Sequence, residues 1–417
     1  MMLVLCWQLL AKPALAAPRD DAGSTELSLS DAIRNALAAA NDYAIAKDDE
    51  QVAAGEAKSA AMRLLPALGA NASVVYNSPS PAGGQSFLSE NSVLWYRATG
   101  GISGSLLGGT GAQIKADRAL LAAAHAGTEI ARRNLIQATV EAYYGVSLAD
   151  AQLGAAEATQ TVAQKLADVT ALRFNAGEVP EADVLRTKLL AVAAGDAVLQ
   201  ARAASAAADA NLGVFAGTDH AWHVDPLVAD ASPGDDATSG PAPISEQADG
   251  AVDAAKAQVA VTRAQSLPTV DYYAGYGLDS DTLGAGLSQH LGAIVGATVT
   301  VPIFDWGIGA RAVTAAKLAV DKAELSRQQT LRQNAADIAT ARAAADTARD
   351  RARTLSDSLG DAQRSADIAL ARYNAGEADL VEWSDAQQTL ADTRVAANQA
   401  AADYQIALWR VHLQAGK

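Results

Sequence analysis

Glu382 and Asp385 stand three residues apart, so on a helix both carboxylates share one face. Such a pair is either an ordinary solvated face or a place where charge is concentrated for use. Shifted by 199 residues, Asp183 falls on Glu382, while Arg186 stands where Asp385 does. Other chemistry-bearing residues are sparse. His125, His220, His223, His290 and His412 are scattered. Only His220 and His223 are close, and H-x-x-H without a nearby cysteine is a weak metal signal. Cys6 is the only cysteine, which excludes a disulfide within one chain and a Cys₄ or Cys₂His₂ site. No G-x-S-x-G, phosphate loop or H-E-x-x-H occurs, and no nucleophile–base pair stands out. The expectation is a protein that is not an enzyme and has no cofactor.

The elements that carry these residues come in duplicate. RFNAGE at 173–178 recurs as RYNAGE at 372–377. The same shift lays Gly108 on Gly307, Ile114 on Val313 and Gly217 on Gly416. Pro66 and Pro268 fall slightly out of register, so a small indel lies between the copies. Self-similarity at a long period is the mark of a repeat. The repeats are read as 17–217 and 244–417, joined by a linker over 218–243 rich in Pro, Gly, Ser and Asp.

Each copy holds two runs with the period-2 alternation of strands: about 67–77 and 94–106 in the first, 270–278 and 292–301 in the second. Leu68, Ala70, Ala72, Val74 and Tyr76 share a face, as do Val270, Tyr272, Ala274, Tyr276 and Leu278. The opposite faces hold Gly, Ser, Thr and Asn. An ordinary soluble sheet fits this pattern; so do tilted membrane strands of about 10 residues. Tyr76, Trp95, Tyr96, Tyr272 and Tyr273 sit near run ends, where an aromatic girdle would be. In lipid, four strands cannot close alone, and open edges leave backbone groups unsatisfied. Several chains would have to pool their strands: two give eight, three give twelve.

Between Gly111 and Val179, and from Ile308 onward, there is no proline. These stretches read as helices of roughly 60 residues, about 90–100 Å each at 1.5 Å per residue. The hexapeptides then read as reversal points, far from the strands. Gly177 and Gly376 accept positive φ at a helix end, and Asn175 and Asn374 suit the same place. Arg173 and Arg372 in the last turn complement the helix dipole. Pro180 can open the return helix.

Composition agrees. Half the chain is apolar but only 5% aromatic, and the abundant alanine suits long, closely packed helices. A net charge of −15 argues against nucleic acid as a partner. The apolar run Leu3–Leu10 followed by Ala14-Leu15-Ala16 reads as a signal peptide over 1–16. No later stretch is long and apolar enough for a transmembrane helix.

The chain resembles the TolC-type outer-membrane efflux proteins. The likeness rests on LSLSDAIRNAL, LLPALGANASVVY, VPIFDWGIGARAVTAAKL, the paired RFNAGEVPEADVL and RYNAGEADLVEWSDAQ, and the closing AAADYQIALWRVHLQAG. It implies a mainly α protomer with a transmembrane β portion. The resemblance also implies a homotrimer: a 12-stranded barrel in outer-membrane lipid, continued by a helical barrel into the periplasm of a Gram-negative cell. The linker would lie at the equator. A periplasmic adaptor (membrane fusion) protein would dock on the hairpin tips, at Arg173, Asn175, Gly177, Arg372, Asn374 and Gly376, and an inner-membrane transporter would energise export. The gate would fall on Glu382 and Asp385, with Asp183 in the first hairpin. Two positions depart from the family pattern: Glu382 stands for Asp, and Ala378 for a basic residue. The function implied is the exit duct of a tripartite efflux or type I secretion system. The rival reading is a soluble periplasmic coiled-coil adaptor or scaffold, which would lack four amphipathic strands of bilayer length.

Overall fold

Alternation becomes a sheet, and the proline-free stretches become helices. The computed structural model describes residues 25–78, 94–106, 109–216, 222–224, 243–281 and 287–414. The expected signal peptide with Cys6, and all of the expected linker except 222–224 and 243, lie outside these residues. The element order is β1 (Thr25–Leu27), α1 (Leu29–Ala39), α2 (Asn41–Met62), β2 (Ala67–Tyr76), β3 (Leu94–Ser105), α3 (Thr110–Asn175) and α4 (Glu181–Ala216). It continues with β4 (Trp222–Val224), α5 (Pro243–Ala264), β5 (Thr269–Ser280), β6 (Leu291–Thr300), α6 (Ile308–Ala375) and α7 (Leu380–Gln414). The protein is mainly α, with 66 residues in α3 and 68 in α6. Residues group into two compact units that cut across the sequence repeats, each drawing on both halves.

Among the described residues the first unit holds 25–39, 138–216, 222–224 and 348–406. Here β1 pairs with β4 in parallel, Thr25 opposite Trp222. A core of Leu27, Ala32, Tyr143, Val146, Leu212 and Trp222 forms against this ribbon. Tyr143 is 1% exposed, and its hydroxyl donates to the Leu27 carbonyl at 3.1 Å. That bond satisfies the one polar atom of a large buried ring. Ser28 caps α1: its Oγ accepts from the Asp31 N–H at 3.2 Å and donates to Asp31 Oδ2 at 2.7 Å.

Among the described residues the second unit holds 40–78, 94–106, 109–137, 243–281, 287–347 and 407–414. Its four-stranded antiparallel sheet runs β2-β3-β5-β6. The register places Leu68 against Ile102, Ala98 against Leu278, and Ala274 against Val295. One face therefore carries apolar, aromatic and glycine residues, with Ser280 at its end, and no charge. Its side chains are not covered: Leu68 is 84% and Val295 79% exposed. The other face carries Asn71, Ser73, Thr99, Ser103 and Thr298, and every charge on the strands. Trp95 and Tyr273, expected in an aromatic girdle, pair through Val75–Trp95 and Ser103–Tyr273 and so fall on the polar face. The correction follows from strand parity, since each stands one residue from a girdle tyrosine and neighbours in a strand point opposite ways.

After β6 the chain turns through Ile303, Phe304 and Trp306, all strongly exposed. Trp306 has φ 56°, the one positive value among the described non-glycine residues. Asp305 fixes this knuckle by accepting from the Gly307 N–H at 3.0 Å and the Gly309 N–H at 2.7 Å.

Also in this unit, Glu129 accepts from both Arg132 and Arg133. Arg132 forks onto it at 2.7 and 2.8 Å. Arg133 reaches it at 2.9 Å, and at 3.0 Å also caps the Leu413 carbonyl at the end of α7. The hydrogen bond from Arg132 holds the Glu129 carboxyl below the usual carboxylate range, against the opposing pull of burial. A carboxylate whose folded pKa is depressed stabilises the fold fully above its ordinary value. That contribution disappears as pH falls through the lowered folded value. Acid titration of the Glu129→Gln variant by circular dichroism should therefore start from lower stability at neutral pH. It should also lose less than the unsubstituted chain on acidification.

Candidate functional site

The two hexapeptides close α3 and α6 by one mechanism. Gly177 has φ 78° and Gly376 φ 77°, values that favour glycine. Around the first, the Glu178 N–H donates to the Arg173 carbonyl at 2.9 Å and the Gly177 N–H to that of Phe174 at 2.9 Å. Around the second, Glu377 donates to Arg372 at 2.9 Å and Gly376 to Tyr373 at 3.1 Å. Both sets form the Schellman pattern, which satisfies the last carbonyls of a helix. Asn175 is exposed in the final turn of α3, and Asn374 lies in the final turn of α6.

The return helices begin differently. Pro180 directly precedes α4. Asp379 caps α7, its Oδ1 accepting from the Glu382 N–H at 2.8 Å. The Glu382 carboxylate, free of that cap, pairs with Arg372 Nη1. Arg372 also donates to the Glu377 carbonyl at 3.4 Å. Charge on the second hairpin is thus partly compensated within the chain. Asp385 is exposed, and its carboxylate has no partner among the described residues. Asp183 is half-buried in the first turn of α4, where its carbonyl accepts from Thr187 Oγ1 at 3.0 Å.

Arg173 links the two hairpins: its guanidinium lies over the Tyr373 ring, 5.2 Å from the centroid. Tyr373 is buried with Leu166, Ala369, Leu380 and Trp383, its ring 6.5 Å from that of Trp383. Sequence reasoning found the turns and the carboxylates but missed this aromatic centre and the Arg372–Glu382 pair. The signal lay in the return helices. Leu380 and Trp383 occupy the positions that Glu181 and Val184 hold in the first copy. Among the described residues Trp383 Nε1 and Thr170 Oγ1 are buried without a hydrogen-bond partner.

Among the described residues no cluster of His, Cys, Asp and Glu could hold a metal ion. No helix among the described residues is long and apolar enough to cross a membrane. The site thus offers charge, turns and an aromatic clamp.

Comparison with solved structures gives the same fold. The Campylobacter jejuni CmeC outer membrane channel is similar with a TM-score of 0.82 at 22% identity, over 93% of this chain and 85% of that one. VceC, an outer membrane protein of Vibrio cholerae, gives 0.79 at 21% identity, over 93% and 95%. The open state of the Neisseria gonorrhoeae MtrE outer membrane channel gives 0.80 at 20% identity, over 93% and 88%. No curated protein matches the chain at a significant level. The family model for outer membrane efflux proteins matches residues 24–218 and 246–417. Spanning both halves of the chain, that match makes this protein a member of the outer membrane efflux protein family.

Proposed function

We infer that the chain is the outer-membrane exit duct of a tripartite efflux or type I secretion system. The observation that carries this reading is the sheet's charge-free, apolar and uncovered face. In water such a face is an aggregation hazard; in lipid it is at home. The sheet is also open, with β2 and β6 as edges. Its edges need partners in a bilayer, and copies of the same chain supply them. Three copies make a twelve-stranded barrel with a lumen, and the helices continue it into the periplasm.

The hairpin turns form the periplasmic tip, where an adaptor protein docks on Arg173, Asn175, Gly177, Arg372, Asn374 and Gly376. Asp385, Glu382 and Asp183 ring the narrow end. Three-fold symmetry brings like charges together there, and bound cations relieve the repulsion. An adaptor that binds the open tip more tightly shifts the population toward it. The duct itself is passive, and an inner-membrane transporter supplies the energy.

Fractionation and planar-bilayer recording test the reading. The mature protein should stay with the outer membrane, require detergent for extraction, and add stepwise conductance to a bilayer. Recovery in the soluble periplasm with no conductance would overturn it.

A further inference from the structure

The four strands carry three charged residues: Arg97, Asp271 and Asp279. All three lie on the polar face. Arg97 stands directly opposite Asp279 in the register. Its Nε and Nη2 donate to Asp279 Oδ2 at 3.1 and 2.9 Å. Among the described residues Asp279 Oδ1 is buried without a hydrogen-bond partner, and Arg97 is the cation paired with this carboxylate. Both side chains are about half exposed. A pair this exposed adds little to stability, which leaves its placement on a nearly uncharged sheet to be explained.

The surroundings explain it. One row beyond the pair, Asn71, Thr99, Gly277 and Gly292 stand in line; in the next, Gly69, Gly101, Gly275 and Ile294 do. These glycine positions are closed to side chains at the centre: a Cβ on Gly277 would lie 2.1 Å from the Ala98 carbonyl oxygen. The two central strands thus carry no side chain larger than Thr99 over two rows, with Asn71 and Ile294 on the outer strands, and the next row holds the longest side chain on the strands, with Val75 and Trp95 behind it.

We propose that the Arg97–Asp279 pair is the charge filter of the strand section, setting which ions and charged solutes pass. The inference rests on the duct reading, in which the polar face lines the lumen and three copies form a ring of pairs. As a pair it is nearly neutral; breaking it leaves a ring of one sign in a confined, poorly screened space.

The experiment is reversal potential in a potassium chloride gradient across planar bilayers. It uses the full mature chain with Glu382→Ala and Asp385→Ala, so that tip carboxylates in series do not set the result. Arg97→Gln should raise the cation-to-anion permeability ratio on the order of threefold, and Asp279→Asn should lower it by a similar factor. The swapped chain Arg97→Asp with Asp279→Arg should return to the parent value. Ser73 faces Arg97 across β2 and β3. Ser73→Asp adds a carboxylate to the row without removing a partner, and should raise the ratio even where a broken pair hinders assembly. Channels with an unchanged ratio in every variant, or shifts of one sign from both single variants, overturn the filter and leave the duct standing. A parent chain that forms no channel overturns the duct reading instead.

Discussion

Val295→Arg is expected to abolish assembly. The side chain is 79% exposed in the middle of β6 and touches no core. In a soluble protein such a change stays within about 0.5 kcal/mol of neutral. On a lipid-facing strand near the bilayer midplane, arginine costs about 2–4 kcal/mol, and a three-copy barrel takes that cost three times. The control is Thr298→Arg, three positions on and on the polar face, also exposed. It places the same charge in the lumen and should assemble. Heat-modifiable migration and yield in the outer-membrane fraction read both variants. Equal assembly of the two would mean that the apolar face does not meet lipid.

Opening at the tip should follow the division of charge found there. Glu382 is already paired with Arg372, whereas Asp385 has no partner among the described residues. Asp385→Ala should therefore weaken cation block more than Glu382→Ala does, and the double variant should raise single-channel conductance. Arg372→Ala should act in the opposite sense on charge but the same sense on gating. On the proposed reading it would release Glu382 into a ring of carboxylates, and it cuts the tie between α6 and α7. An exposed ion pair is worth about 0.2–1 kcal/mol, so three copies shift the closed–open balance by roughly tenfold. Unchanged conductance and block in all of these variants would remove the gate from this hairpin.

Much of this was legible in the sequence because each signal was local. Gly177 and Gly376 announce a helix end by what only glycine tolerates, and the Schellman bonds form around both. Alternation from Leu68 to Tyr76 gives strand faces directly, and β2 ends at the expected place to within a residue. What was not legible depends on partners distant in the chain. RFNAGE and RYNAGE are nearly identical, yet Phe174 is 41% exposed and Tyr373 7%. The difference comes from Leu380 and Trp383, seven and ten residues beyond Tyr373, packing beneath the ring. The Arg372–Glu382 pair needs the turn to be folded before the two charges meet. The Arg97–Asp279 pair needs a register between β3 and β5, strands from different repeats, that no local pattern fixes. The two units cut across the repeats because α3 and α6 each contribute to both.

The most direct test of the account is the mass of the purified mature chain in detergent, by light scattering corrected for bound detergent, followed through detergent removal. The account predicts three copies per particle and precipitation once the detergent is gone. A monodisperse single chain, stable in plain buffer, would contradict it.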